Sequence, residues 1–147
     1  LQELSPVASK NKVLLDTNVH DTTAMTHRLG LKTALWCLVR LSLDLVANEE
    51  NPNRKVLITT KKSRGDEVKV SVLGSHAGLN NKEMSRARQM QGNAHMALCL
   101  KNEGSGIQLA IADILAFSVG EGLKLTKNNG LNGFTFNLKK SHQLQLV

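Results

Sequence analysis

The chain has 147 residues, 41% of them hydrophobic, which is enough for one domain with a buried core. Nineteen Lys and Arg residues against twelve Asp and Glu residues give a formal net charge of +7, which would suit a nucleic-acid partner. With no Tyr, three Phe and one Trp, however, the chain has too few aromatic residues for a base-stacking surface, so a basic nucleic-acid-binding scaffold is kept only as an alternative.

The N-terminal third of the chain predicts a short strand followed by a long helix. Residues 12–17, KVLLDT, are typical of a strand that ends at a polar segment. From Leu29 to Val46 the apolar residues recur at helical spacing over a broad face, which predicts a mostly buried helix. A thin polar stripe remains, and it includes Arg40 and Asp44, whose four-residue spacing allows an ion pair on the helix surface.

A hairpin and a short helix are predicted next. Residues 55–62, KVLITTKK, and 67–74, EVKVSVLG, alternate between apolar and polar side chains across a short polar turn, as two paired strands would. Asn80 and Glu83 have the spacing of a capping box, in which each side chain satisfies the backbone N–H of the other residue. We therefore expect a helix that begins after Asn80 and ends near Met90.

The C-terminal third predicts a helix and a second hairpin. Residues 94–100, AHMALCL, fit either a strand or a helix, whereas a helix is expected from Gly106 to Val119. Its inner face is expected to consist of Ile107, Ala110, Ile111, Ile114 and Leu115. Two alternating segments then flank residues 128–130, Asn-Asn-Gly, a turn sequence that favours a tight hairpin.

This order of elements predicts an α+β fold. We expect a two-layer sandwich in which the helices lie on one face of a mixed, mostly antiparallel sheet. We expect residues 1–147 to form a single domain, and the start at Leu1 rather than Met predicts either a fragment of something longer or a processed chain.

The cysteines and the hydropathy pattern predict the cellular setting. Cys37 and Cys99 lie in apolar stretches without the spacing of a metal site, so we expect buried thiols in a reducing, cytoplasmic compartment. No stretch approaches the roughly 18 apolar residues needed to span a bilayer, and we expect no membrane contact by this part of the protein.

Two motifs near the end of the chain carry a family resemblance. They are GSGIQLAIADILAFSVGEGLKL, which begins at Gly104, and the closing GFTFNL, which begins at Gly133. Together with the order of elements over residues 12–139, they resemble the C-terminal ATP-binding domain of sensor histidine kinases, the HATPase domain with the Bergerat fold. The resemblance implies an ATP site formed by the long helix, two glycine-rich loops and a lid.

In such domains an asparagine of the long helix holds Mg²⁺, which requires an oxygen ligand. Aligning the helix by its buried face places Leu41 at the position of that asparagine and Cys37 one turn earlier. Leucine cannot bind a cation. A second register would place Asp44 and Asn48 at these two positions. It also places Glu49 and Glu50 at packed apolar positions, so the first register is favoured.

The second loop of the family contains an aspartate that accepts a hydrogen bond from adenine, followed by two glycines. SVLGSHAGLNNKE resembles this loop with Gly74 at the aspartate, His76 at the first glycine and Gly78 at the second. Only Gly78 matches the pattern. The loss of the carboxylate would remove a hydrogen bond worth about 1 to 3 kcal/mol.

The third loop retains Gly104 and Gly106 but has Gln108 at the last glycine of the motif. Ser105 and Gln108 have the spacing of a capping box, so the first turn of the helix could satisfy its own N–H groups without a phosphate. If a nucleotide does bind, the resemblance assigns its contacts to Gly78, Gly104, Ser105 and Gly106, with Asp44 and Asn48 added in the second register.

These departures predict a histidine-kinase-type ATPase domain with an eroded nucleotide site and a role in protein interaction. No catalytic residue, metal ligand or cofactor is expected. The expected partner is the helical dimerisation domain of the parent protein or a response regulator. The alternative is a divergent domain that still binds ATP and Mg²⁺ and phosphorylates a histidine on a separate dimerisation domain.

Overall fold

A computed structural model describes residues 2–19, 28–63, 67–89 and 105–139. The helices are α1 (Ser5–Lys10), α2 (Arg28–Ala47), α3 (Asn81–Gln89) and α4 (Ser105–Val119). The strands are β1 (Leu14–Asn18), β2 (Lys55–Lys62), β3 (Glu67–Gly74), β4 (Lys124–Asn128) and β5 (Leu131–Lys139). None of these helices is long and apolar enough to cross a bilayer. The ambiguous segment 94–100, with Cys99, lies outside the described residues, as does Gly104.

The strands form one sheet in the order β1-β2-β3-β5-β4. β1 pairs with β2 in parallel, and the other three pairs are antiparallel. Helix α2 packs on β2 and β3, and α4 packs against α2 and β5. The predicted α+β fold, with helices on one face of a mixed, mostly antiparallel sheet, is confirmed.

Alternation along the strands gives the sheet one apolar face toward the helices, because successive side chains of a strand point to opposite faces. The buried residues of this face are Val56, Ile58, Val68, Val70, Val72, Phe134, Phe136 and Leu138. Helix α2 supplies the other side of the core through Ala34, Cys37, Leu38, Val39, Leu41, Leu43 and Val46. This width of burial explains why its sequence is apolar around most of its circumference.

Two local predictions are confirmed in atomic detail. Glu83 N–H donates to Asn80 Oδ1 at 3.0 Å, and Asn80 N–H donates to Glu83 Oε2 at 2.8 Å, which together form the predicted capping box of α3. Asn128 pairs with Leu131, so the β4–β5 turn consists of two residues, Asn129 and Gly130. Their φ angles of 49° and 77° are the positive values that a tight hairpin of this type requires.

The predicted inner face of α4 is confirmed at Ala110, which is buried, and wrong at Ile111 and Ile114; Leu115 is half-buried, and the Ile107 side chain lies outside the described residues. Ile111 and Ile114 are 39% and 47% exposed, and Phe117 is 75% exposed. Besides Ala110, the buried residues of the described part of α4 are Leu109, Ala112, Asp113, Ala116 and Val119. Ala112 and Ala116 are fully buried, and their small side chains allow the close packing of α4 on α2. Apolar periodicity alone could not predict this face, because the buried face includes the carboxylate of Asp113.

The carboxylate of Asp113 can be buried because it accepts hydrogen bonds from protein groups. Arg88 on α3 donates to it through Nε at 3.2 Å and Nη2 at 3.4 Å, and Leu123 N–H donates to it at 3.1 Å. Arg88 Nη2 also donates to the carbonyl of Leu123 at 2.7 Å. The network joins α3, α4 and the start of β4.

Helix α1 is absent from the predicted elements. It has Pro6 in its first turn, and Leu4 and Ala8 are buried there.

We expect Asp113→Ala to lower the free energy of unfolding by about 2 to 3 kcal/mol, because it leaves a buried N–H of Leu123 without its acceptor and removes the partner of Arg88. Chemical denaturation followed by circular dichroism measures this loss. Asp44→Ala is the matched control, since it removes a half-exposed i,i+4 pair with Arg40 and should cost less than about 1 kcal/mol. Equal losses for the two variants would contradict the assignment.

Candidate functional site

The end of β3 meets α2 at the place where the sequence predicts the adenine-binding loop. Gly74 is the last residue of β3, and its backbone lies against Val46 of α2. A Cβ atom on Gly74 would lie 2.8 Å from Cδ2 of His76 and 3.0 Å from Cγ2 of Val46. Real Cβ atoms essentially never approach other atoms within 3.0 Å, so a side chain at this position would require the His76 ring to shift.

The imidazole of His76 takes the space beside Gly74. His76 is 6% exposed, and its Nδ1 accepts a hydrogen bond from Gly78 N–H at 2.9 Å. Gly78 has a φ angle of +87°, which glycine adopts without strain and which brings its N–H to the ring. The other ring nitrogen, Nε2, is buried and finds no hydrogen-bond partner in the part of the chain that the structure describes.

The segment 75–79, which we call the His76 loop, is anchored on both sides. Ala77 N–H donates to Glu49 Oε1 at 2.9 Å, which ties the loop to the segment after α2. Asn132 Nδ2 donates to the carbonyl of His76 at 2.8 Å, which ties it to β5. Ser75 N–H donates to the carbonyl of Lys55 at 3.0 Å. The loop is therefore held in place by protein groups without a ligand.

The environment of His76 favours its neutral form. Burial lowers the pKa of the ring, and the negative charge of Glu49 opposes this shift in part. Because the ring is neutral near pH 7 and accepts a hydrogen bond at Nδ1, its proton is on Nε2. The ring therefore carries no positive charge with which to bind a phosphate.

The favoured register of α2 is apolar at both candidate positions. Leu41 is 1% exposed and Cys37 is 4% exposed, and both belong to the hydrophobic core. Burial raises the pKa of the Cys37 thiol, so it remains protonated. Neither side chain offers an oxygen ligand for Mg²⁺.

The second register places its two polar groups one helical turn apart at the C-terminal end of α2. Asp44 is half-buried and forms an ion pair with Nε of Arg40 at 3.4 Å, as its spacing predicts. Asn48 is exposed and follows Ala47, the last residue of α2, and its N–H donates to the carbonyl of Asp44 at 3.3 Å. Within the described ranges, no group of three or more His, Cys, Asp or Glu side chains is arranged to hold a metal ion.

The start of α4 is described from Ser105 onward. Ser105 and Gly106 are its first helical residues, and Gly104 precedes the described range. Gln108 Oε1 is buried without a hydrogen-bond partner in the described structure, so the predicted return of the glutamine to the helix cap is wrong. A glutamine without its acceptor bond shows that spacing alone does not make a capping box.

The structure thus brings Gly74, His76 and Gly78 together with Val46 and Glu49. Sequence reasoning identified the three loop positions but missed the contact between His76 and Gly74. A bulky residue two positions after a glycine was the available signal. Nothing in the sequence predicted that Glu49 anchors the loop, because this contact depends on the path of the chain after α2.

The comparisons with known proteins support the same fold. No protein-family model matches the chain, and no curated protein matches it. Among solved structures, full-length ShkA in complex with AMPPNP is 19% identical, with a TM-score of 0.70 over 95% of this chain and 28% of that one. The nucleotide-free catalytic domain of the histidine kinase ThkA is 17% identical, with a TM-score of 0.71 over 95% of this chain and 86% of that one. ThkA in complex with the response regulator protein TrrA is 15% identical, with a TM-score of 0.67 over 95% of this chain and 38% of that one.

These likenesses confirm the predicted resemblance to the ATP-binding domain of sensor histidine kinases at the level of the fold. The chain matches nearly the whole of the isolated ThkA catalytic domain but only 28% of the length of ShkA. It therefore corresponds to one domain of these proteins, and identities below 20% carry no information about which site residues are retained.

We expect Gly74→Ala to lower the free energy of unfolding by about 1 to 3 kcal/mol, because the added methyl group meets the His76 ring. The loss should shrink by at least about 0.5 kcal/mol when His76 is also changed to Ala, since the two residues share one space. Denaturation of the wild type, both single variants and the double variant measures this coupling.

Gly122→Ala serves as the control, because a Cβ there would make only ordinary contacts of 3.5 Å or more. Its effect should be small and the same with or without His76. If the penalties of Gly74→Ala and His76→Ala simply add, the two residues do not compete for space.

Proposed function

We propose that this chain is a histidine-kinase-type ATPase domain whose nucleotide site is eroded and which acts in signalling through protein contacts. The observation that carries the proposal is a packing contact, in which the His76 ring fills the space that a side chain at Gly74 would need. The position at which the family binds adenine has no side chain, and an adjacent imidazole fills the space beside it. This close packing needs both the absence of a side chain at Gly74 and the large side chain of His76.

The apolar character of α2 supports the same proposal. A triphosphate is bound through a cation in this fold family, and a cation requires oxygen ligands. The residues present do not fit Mg²⁺ at Leu41 and Cys37, because both side chains are buried and apolar. Asp44 is neutralised by Arg40, and Asn48 lies beyond the helix end. A cation bound at the second register would have to compete with the ion pair between Asp44 and Arg40.

A role in protein contact is supported by the surface of α4. Phe117 is 75% exposed and Ile114 is 47% exposed, and both line an open groove of about 850 Å³ between α3, α4 and β4. Exposed apolar patches of this kind mark interaction surfaces. The structure of ThkA with TrrA provides a related precedent in a protein of the same fold. We propose a helical dimerisation domain of the parent protein, or a response regulator, as the partner.

The competing proposal is a divergent domain that still binds ATP. It is favoured by the fold itself and by ShkA, which was solved with AMPPNP. It requires that the His76 loop leaves its place beside Gly74 when a nucleotide arrives. The two proposals differ in a measurable quantity, the affinity for magnesium and ATP.

We expect isothermal titration calorimetry of the folded chain to show no saturable heat with ATP and Mg²⁺ at nucleotide concentrations of a few millimolar. A dissociation constant weaker than roughly 1 mM corresponds to less than about 4 kcal/mol of binding free energy. ATP with EDTA and Mg²⁺ alone are the controls. Saturable binding that requires both ATP and Mg²⁺ would contradict the eroded site and establish the competing proposal.

A further inference from the structure

His76 combines two features that rarely occur together in one buried side chain. Its Nδ1 is the acceptor that fixes Gly78 N–H at 2.9 Å, and its ring fills the space beside Gly74. The hydrogen bond requires a neutral ring, because a protonated Nδ1 is a donor and can no longer accept. The buried Nε2 adds no compensating bond within the described structure.

We propose that His76 is a pH-sensitive switch for the His76 loop, in which protonation of Nδ1 releases Gly78 and moves the ring away from Gly74. The step adds one proton from solvent to Nδ1 and breaks one hydrogen bond, the bond from Gly78 N–H. The charged ring then gains by moving from its buried place to water or to the carboxylate of Glu49.

The His76 ring faces charged groups from several neighbouring segments of the chain. His76 lines an open cleft of about 650 Å³ whose charged members are Lys12, Glu49, Arg54 and Lys55. Lys55 Nζ lies 3.6 Å from Asp16 Oδ2, and Arg54 donates to the carbonyls of Glu49 and Asn11. Glu49 Oε1 holds Ala77 N–H, so the same carboxylate that anchors the loop is the nearest anion for a protonated ring.

The direction of the pH dependence follows from the burial of the ring. Burial lowers the pKa of His76 in the folded chain below its ordinary value of 6.5, which the unfolded chain retains. The unfolded chain therefore binds a proton first as the pH falls. The stability held by the neutral ring is complete above pH 6.5 and is lost as the pH falls from 6.5 through the lower pKa of the folded state.

This inference does not depend on the proposed function, because the switch needs neither a nucleotide nor a partner. It is tested by NMR of the chain between about pH 8 and about pH 5, the range in which histidines titrate. Two signals are followed, the carbon-bound ring protons of His76 and the hydrogen-exchange protection of the Gly78 amide. The Leu123 amide, which is bound to Asp113, is the internal control.

We expect Gly78 protection to fall at least tenfold with the same midpoint as the His76 ring, while Leu123 protection changes only with the general dependence of exchange on pH. His76→Asn is the matched variant, because its Oδ1 can accept the same i+2 N–H and does not titrate. In this variant Gly78 protection should be independent of pH after the same correction.

Two results would overturn the switch. In the wild type, Gly78 could keep its protection while the His76 ring titrates. In His76→Asn, Gly78 could lose its protection over the same range of pH. The wild-type comparison alone decides the question if His76→Asn does not fold. Calorimetry with ATP reports separately on the proposed function, so failure of one does not imply failure of the other.

Discussion

Burial of α2 between the sheet and α4 is the constraint on which the rest of this domain depends. Leu38, Val39, Leu41, Leu43 and Val46 are all at most 1% exposed. Removing that much apolar surface from water is the main source of stability for a chain of this size. Leu41 and Cys37, which the favoured alignment compares with the family's cation-binding asparagine and the residue one turn earlier, belong to this core. The residues that stabilise the domain at Leu41 and Cys37 are therefore apolar and supply no oxygen ligand.

The His76 loop shows the same principle on a smaller scale. A glycine at the end of β3 leaves a space, a histidine two residues later fills it, and hydrogen bonds to Glu49, Gly78 and Asn132 fix the result. Here protein groups satisfy the loop, so a nucleotide would have to displace an ordered side chain before it could bind.

The sequence predicted the fold well because its signals are local. Alternation in β2 and β3, the Asn129-Gly130 turn and the Asn80–Glu83 capping box each depend on neighbouring residues. The inner face of α4 was predicted only in part, because the burial of Asp113 depends on Arg88, which is 25 residues away. The site was predicted only in part for the same reason. The departures from the family motifs at Leu41 and Gly74 remain predictions from the sequence, whereas the packing of His76 on Gly74 depends on three-dimensional contact.

The central claim is that the space beside Gly74 belongs to His76 and that no cation ligand faces it from α2. The most direct measurement is a crystal structure of the chain grown with AMPPNP and Mg²⁺. The account predicts the His76 ring beside Gly74, its Nδ1 bonded to Gly78 N–H, and no nucleotide between β3 and α2. A nucleotide bound beside Gly74, with His76 displaced and the cation bound by an oxygen atom of Asp44 or Asn48, would contradict it.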